Sequence, residues 1–231
     1  MQKAEFDQFA KEYTKLHAAS IEASGETLDF FAEYKVIDAA GVITKSFGQD
    51  PVEVLDFGSG VGNSIPFFSK HISNAKLTCV DISEESLRCA ETRFPNLAQY
   101  VPFDGKTLPF ADETFNFVFT ACVFHHIPAD EHQALFREVF RVLKKKGIFV
   151  IFEHNPYNPL TVRAVNNCIF DKNAVLLYCS AVRQQLVRAG FHQVEGKYRI
   201  FFPGFLRVLR FFERFLTWLP LGAQYYVLGY K

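Results

Sequence analysis

Three aspartates and one glycine-rich turn are the residues whose types and spacing suggest chemistry. Residues 52–63 read VEVLDFGSGVGN: an apolar run ends in Asp56 and turns through Gly58, Gly60 and Gly62 before a helix can begin. Glycines let a backbone turn tightly and bring its N–H groups against a ligand at the start of the following helix. The next apolar run, residues 76–80, leads into Asp81, and a third, residues 98–103, leads into Asp104. A carboxylate at the end of a second strand can accept both hydroxyl protons of a ribose. Each feature alone has a plainer reading, as a tight turn, a helix cap or a solvated loop acid. In order at three successive strand ends, the acids make a rim better suited to a cation than to a phosphate. Residues 56–68 contain neither Lys nor Arg to meet a phosphate, and the third glycine of a dinucleotide fingerprint would fall where Asn63 stands.

The elements that must position these residues alternate. Strands are expected over 52–57, 76–80, 98–103, 115–120 and 147–152, with helices over 63–71, 83–94 and 130–143 between them. Such alternation specifies a parallel sheet covered by helices on both faces. Ser83 with Glu84 and Glu85 forms a helix start, and the lysines and Gly147 of KKKG form a helix stop. Before the first strand, helices are expected over 4–20 and 27–43. After residue 153 the pattern loosens through EHNPYNPL, then recovers as a helix over 181–189, a strand near 192–202, a helix over 204–219 and a last strand over 223–230.

The D-x-G-x-G-x-G spacing from Asp56 resembles motif I of the class I S-adenosylmethionine (SAM)-dependent methyltransferases. The segment LPFADETFNFVFTACVFHHIP is similar to the motif IV region of the small-molecule, quinone-biosynthesis-like type. About 100 residues, from Val52 to Phe152, match in order and spacing. The resemblance implies a Rossmann-like, doubly wound α/β fold with a seven-stranded, mostly parallel sheet whose last strand is antiparallel. It implies SAM as cofactor, S-adenosylhomocysteine as its product, and cofactor-binding roles for Asp56, Gly58, Gly60, Asp81, Ile82, Asp104 and Ala121. In that family the methionine part binds at the glycine turn with its ammonium near the acid, while Ile82 would flank the adenine. The tail segments EHNPYNPLT and LPLGAQYYVLGY resemble, less specifically, a bacterial subgroup whose acceptor is unassigned.

Methyl transfer is displacement at a carbon already activated by its sulfonium leaving group, so positioning and exclusion of water can supply most of the rate. A hydroxyl or amine acceptor would benefit from a base. His125 is the first candidate and Glu153 the second, with His126 and His154 beside them, although a histidine pair after a strand more often shapes the cofactor pocket than moves a proton. Tyr13 on the first helix could close over the methyl group or simply pack. Without an H-E-x-x-H pattern, the histidines and acids of 125–132 do not specify a metal, and metal-independent activity is expected. The acceptor is expected to be a small molecule, apolar or lipid-linked. A SAM-binding sensor or complex subunit without turnover is the alternative, and a nucleotide-dependent oxidoreductase is disfavoured by Asn63.

The bulk composition narrows the partners. The 25 Lys and Arg balance the 25 Asp and Glu, so no net charge attracts nucleic acid, and no adenine-methylation signature of the Asn-Pro-Pro-Tyr kind occurs. Five cysteines without a C-x-x-C pair read as reduced thiols of a cytoplasmic protein. The first residues lack the apolar stretch of a signal peptide, and no apolar run approaches a membrane span. The 231 residues are expected to form a single domain: a helical lid over 1–50, a cofactor-binding core over 51–153 and an acceptor-side segment over 154–231. The 27 phenylalanines call for an aromatic core or an apolar ligand surface. The segment 204–219, GFLRVLRFFERFLTWL, puts Phe205, Leu209, Phe212, Leu216 and Leu219 on one helical face and Arg207, Arg210 and Arg214 on another. Such a helix packs on a core, lines an apolar substrate's approach, or makes peripheral contact with a membrane.

Overall fold

In the computed structural model, residues 25–231 are described, and seven strands in the order β3-β2-β1-β4-β5-β7-β6 make one sheet. The first five are β1 (Val52–Phe57), β2 (Ala75–Asp81), β3 (Gln99–Pro102), β4 (Phe115–Ala121) and β5 (Leu143–His154), and their pairings are all parallel. β7 (Gln224–Tyr230) runs antiparallel to β5 and to β6 (His192–Arg199), so the last strand is the reversed one, as expected. The order reverses between β1 and β4. In doubly wound sheets ligands bind at that switch point, beyond the carboxyl ends of the strands.

Helices cover both faces because successive strand side chains point to opposite sides. Val52 and Val54 of β1, Phe117 and Phe119 of β4 and Ile148, Val150 and Phe152 of β5 form one core beneath α1 (Leu28–Phe47), α2 (Ile65–His71) and α3 (Glu84–Arg93). Leu55, Phe57, Val118, Phe149 and Ile151 form the other, beneath α4 (His132–Val142) and α6 (Cys179–Ala189). Phenylalanine fills both layers. Phe57 stacks on Phe124 at 5.6 Å between ring centroids, and Phe124 on Phe136 at 4.5 Å.

The helix ends follow their local chemistry. The Thr27 hydroxyl accepts from Phe30 N at 3.2 Å at the start of α1, Ser83 caps α3 through Ser86 N at 3.1 Å, and Gly190 closes α6 in the left-handed conformation. Three expectations are corrected. KKKG is not the stop of α4, which ends at Val142; the lysines already belong to β5. EHNPYNPL ends β5 with Glu153 and His154 and leads into a helix, α5 (Pro159–Asn166), which Asn158 caps through Thr161 N at 3.0 Å with Pro159 in its first turn. Residues Gly204–Phe215 form a 3-10 helix rather than an α-helix, interrupted at Leu206. The threefold repeat of that helix leaves Phe205 and Phe212 exposed, not on a core-facing stripe. The helix expected over 4–20, with Tyr13, lies outside the described residues.

Candidate active site

The end of β1 is built by its neighbours. Gly58 N donates to Val80 O of β2 at 2.8 Å and Gly60 N to Asp81 Oδ2 at 2.9 Å, so the glycine turn is tied to the end of the second strand. Two glycines are required for different reasons. At Gly58, φ is +73° and a Cβ would meet Val123 Cγ2 at 2.5 Å, so backbone and packing both exclude a side chain. At Gly60, φ is +53° and a Cβ would meet nothing within 4 Å: the turn faces open space there, where a ligand can approach the backbone.

Asp81 is buried and each of its oxygens accepts one backbone amide, Ser83 N on Oδ1 at 2.9 Å and Gly60 N on Oδ2. A carboxylate at this position can accept the hydroxyl protons of a ribose diol. Asp56 is 2% exposed and its Oδ2 has no hydrogen-bond partner among the described residues. Burial, and then the Asp81 charge, push its carboxyl up to about 8. A buried acid with an orphaned oxygen beside an open glycine turn fits a cationic ligand, which would restore the carboxylate. Asp104 is exposed, and its Oδ1 accepts from Thr107 N and Lys106 N at 2.8 Å; these bonds hold its carboxyl below the usual range. Ile82 sits against this loop, 3.5 Å from where a Gly105 Cβ would stand. Phe57, Gly58, Ile82, Phe103, Gly105 and Val123, with Ile127, Glu131 and Leu135, line a small and mostly apolar cavity beside the glycine turn. Ala121 ends β4, half-buried, opposite Phe152. A buried acid with an unpartnered oxygen, a second-strand carboxylate and an open glycine turn are chemically compatible with a cationic nucleoside such as SAM.

Beyond the ends of β4 and β5 lies a second cluster. His125 and Glu153, expected there as separate candidate bases, are bonded to each other: His125 Nδ1 lies 2.6 Å from Glu153 Oε2, and Phe124 N donates to Glu153 Oε1 at 2.9 Å. His125 is 2% and Glu153 0% exposed. Burial pulls the His125 imidazole down, but the Glu153 charge and the hydrogen bonds to Asp171 and Glu153 overcome it and raise it to about 10. His126 is pushed down to about 3 and His154 to about 4, in both cases by burial first and the His125 charge second. Asp171, 3.5 Å from His125 Nε2 and 3.3 Å from His126 Nε2, is held below the usual carboxylate range by the His125 hydrogen bond and the histidine charges, against the effect of burial. Ligand atoms of His125, His126 and Asp171 lie within 4.8 Å of one another, a spacing that could also receive a metal ion.

Sequence reasoning missed Asp171, Lys35 and Gln224, which the loop before α6, α1 and β7 bring to the same place. Lys35 Nζ lies 3.5 Å from Cys122 Sγ, the Tyr34 hydroxyl donates to Gln224 Oε1, and Gln224 Nε2 is 3.2 Å from His154 Nδ1. Nothing in their local sequence marks them; only the antiparallel pairing of β7 with β5, which sets His154 opposite Gln224, could have pointed to one of them.

Residues 55–151 match the family described as "Methyltransferase domain". A demethylmenaquinone methyltransferase of Thermotoga maritima is 31% identical over 109 residues, which cover 47% of this chain and 46% of that protein. A malonyl-[acyl-carrier protein] O-methyltransferase of Marinomonas sp. is 27% identical over 63% of this chain and 54% of that protein, so the matched region spans about half the length of these curated relatives. In fold, a SAM-dependent methyltransferase crystal structure from Thermotoga maritima, described as a possible histamine N-methyltransferase, aligns with a TM-score of 0.69 over 99% of this chain and 98% of that one, at 19% identity. The glycine turn, Asp56, Asp81 and Asp104 all lie within residues 55–151, so the part of the chain that builds this site is similar to methyltransferase domains, on a fold shared with SAM-dependent methyltransferases of known structure.

Proposed function

We propose that the protein transfers a methyl group from SAM to a small, apolar or lipid-linked acceptor by in-line displacement. The observation that carries this reading is Asp56, a buried carboxyl with an unpartnered oxygen, at the end of the strand that leads into the open glycine turn. SAM supplies an electrophilic methyl carbon with a neutral thioether as its leaving group. On this reading Asp56 meets the cationic end, Asp81 holds the ribose, Ile82 and Asp104 frame the adenine end, and Ala121 at the end of β4 makes a backbone or van der Waals contact.

The chain's own contribution on the acceptor side is positioning. His125, raised to about 10, already carries its proton at neutral pH, and Glu153 is engaged by it. His126 and His154, near 3 and 4, are weak bases. No group of this cluster has the near-neutral pKa that favours proton abstraction at pH 7. We therefore assign the His125–Glu153 pair the task of fixing the turn after β4, and read the acceptor as one that arrives already nucleophilic or gives its proton to water. Lys35 and Tyr34 of α1 reach this cluster through Cys122 and Gln224, which supports a lid role for α1. The exposed side chains of Tyr157, Leu160, Ile169, Val175 and Tyr178, on and around α5 and the following loop, give the approach an apolar character.

The test is transfer of label from methyl-labelled SAM to a panel of quinol, phenol, fatty-acyl and amine acceptors. Label is expected in an apolar acceptor, and an excess of chelator is expected to leave the rate unchanged. Loss of transfer on chelation would overturn the metal-independent reading and direct attention to His125, His126 and Asp171.

A further inference from the structure

We propose that residues 204–221 dock the protein on an anionic lipid bilayer, a surface role that does not depend on the methyl-transfer reading. The segment is turned inside out relative to an ordinary surface helix. Its inward row is polar. The Arg210 guanidinium donates to Phe202 O at 3.1 and 3.0 Å and to Glu26 Oε1 at 2.7 Å, and it covers the Phe30 ring at 4.4 Å. Glu213, buried, accepts from Phe201 N at 2.9 Å and Phe202 N at 3.0 Å. These bonds hold the segment to the body of the protein, so its outer face is a fixed surface.

That outer face is apolar. Phe205, Val208 and Trp218 are 79%, 80% and 73% exposed, and Phe211 and Phe215 60% and 59%. Contiguous exposure of this kind marks an interaction site on a protein that otherwise buries its phenylalanines. The charges choose the partner. Glu213 is the only acid in residues 204–221, and it points inward, so the exposed charges of the face are Arg207 and Arg214. Arg214 lies over the Phe211 and Phe215 rings at 4.1 and 4.6 Å, placing its cation at the rim of the apolar surface. Aromatic side chains with arginines at their edge suit the boundary between acyl chains and negatively charged headgroups. A second copy of the same face would set arginine against arginine, which disfavours self-association. No helix among the described residues is long and apolar enough to cross a membrane, so the contact is with the bilayer surface.

Trp218 is the only tryptophan of the chain and reports directly. Vesicles of phosphatidylglycerol and phosphatidylcholine should shift its emission to the blue, and brominated acyl chains should quench it. Two arginines near an anionic surface make partitioning roughly 30-fold stronger than to phosphatidylcholine alone, a preference that rising salt should erode. The double variant Phe211→Ser, Phe215→Ser, at exposed positions, should keep its circular dichroism and SAM affinity while losing the vesicle response. Emission indifferent to vesicles, equal response to neutral vesicles, or an undiminished response of the variant would each overturn the proposal. So would a blue shift that grows with protein concentration in the absence of lipid, which would assign the face to a second copy.

Discussion

Glu153→Ala is expected to destabilise the protein by about 3–5 kcal/mol, because it strands a buried imidazolium and a buried N–H at once. The carboxylate is fully buried between His125 Nδ1 at 2.6 Å and Phe124 N at 2.9 Å. Glu153→Gln should cost much less, since its amide oxygen still accepts from Phe124 N while His125 loses its charge partner and reverts toward the neutral form. Equilibrium denaturation of the two variants measures the difference. The pair also sets a pH dependence of known sign. His125 is raised from 6.5 to about 10, so its contribution is complete below about 6.5 and is lost as pH rises through about 10. Glu153 is lowered, so its contribution is present above its ordinary value and is lost on acidification through the folded value. Stability that is flat between pH 6 and 10 in the wild type and unchanged in Glu153→Ala would show that the pair is not charged.

Substitution of the two glycines should separate folding from binding. Gly58→Ala combines a positive φ, about 1–2 kcal/mol for a side chain there, with overlap on Val123, so a loss of about 2–4 kcal/mol of stability is expected. Gly60→Ala adds a methyl group that touches nothing within 4 Å and should cost only about 1 kcal/mol from its φ of +53°. Its methyl group occupies the volume in front of the turn, so SAM affinity should fall by roughly tenfold to 100-fold while the melting temperature moves little. Gly60→Ala with undiminished SAM affinity would mean that the cofactor does not approach this face.

The parts of this arrangement that lie close together in the chain are legible in the sequence itself. Strands buried on both faces read as apolar runs, and Asp56, Asp81 and Asp104 mark their ends, so the sheet and the cofactor side follow from local pattern. The cluster beyond the ends of β4 and β5 does not. Lys35, Asp171 and Gln224 come from three separated segments, and their convergence is set by how α1 and β7 pack on the sheet. His125 and Glu153 stand out as candidates, but their mutual bond does not, because it depends on the neighbouring ends of parallel β4 and β5. The helix α5 is within reach of local pattern, since Asn158 followed by Pro159 is a helix start. The 3-10 segment is not. In residues 204–219 both an α and a threefold repeat give an apolar face, and only the inward bonds of Arg210 and Glu213 decide between them.

The central claim, that Asp56 receives the cationic end of SAM, has a direct thermodynamic signature. With its carboxyl raised to about 8, Asp56 is mostly protonated at pH 7, and a cation beside it should draw the value down and expel the proton. Calorimetric titration of SAM at pH 7 in two buffers of different ionisation enthalpy should show binding with release of nearly one proton. The release should fall to about half near pH 8 and disappear in Asp56→Asn. SAM binding without proton release, or binding of NAD in preference to SAM, would contradict it.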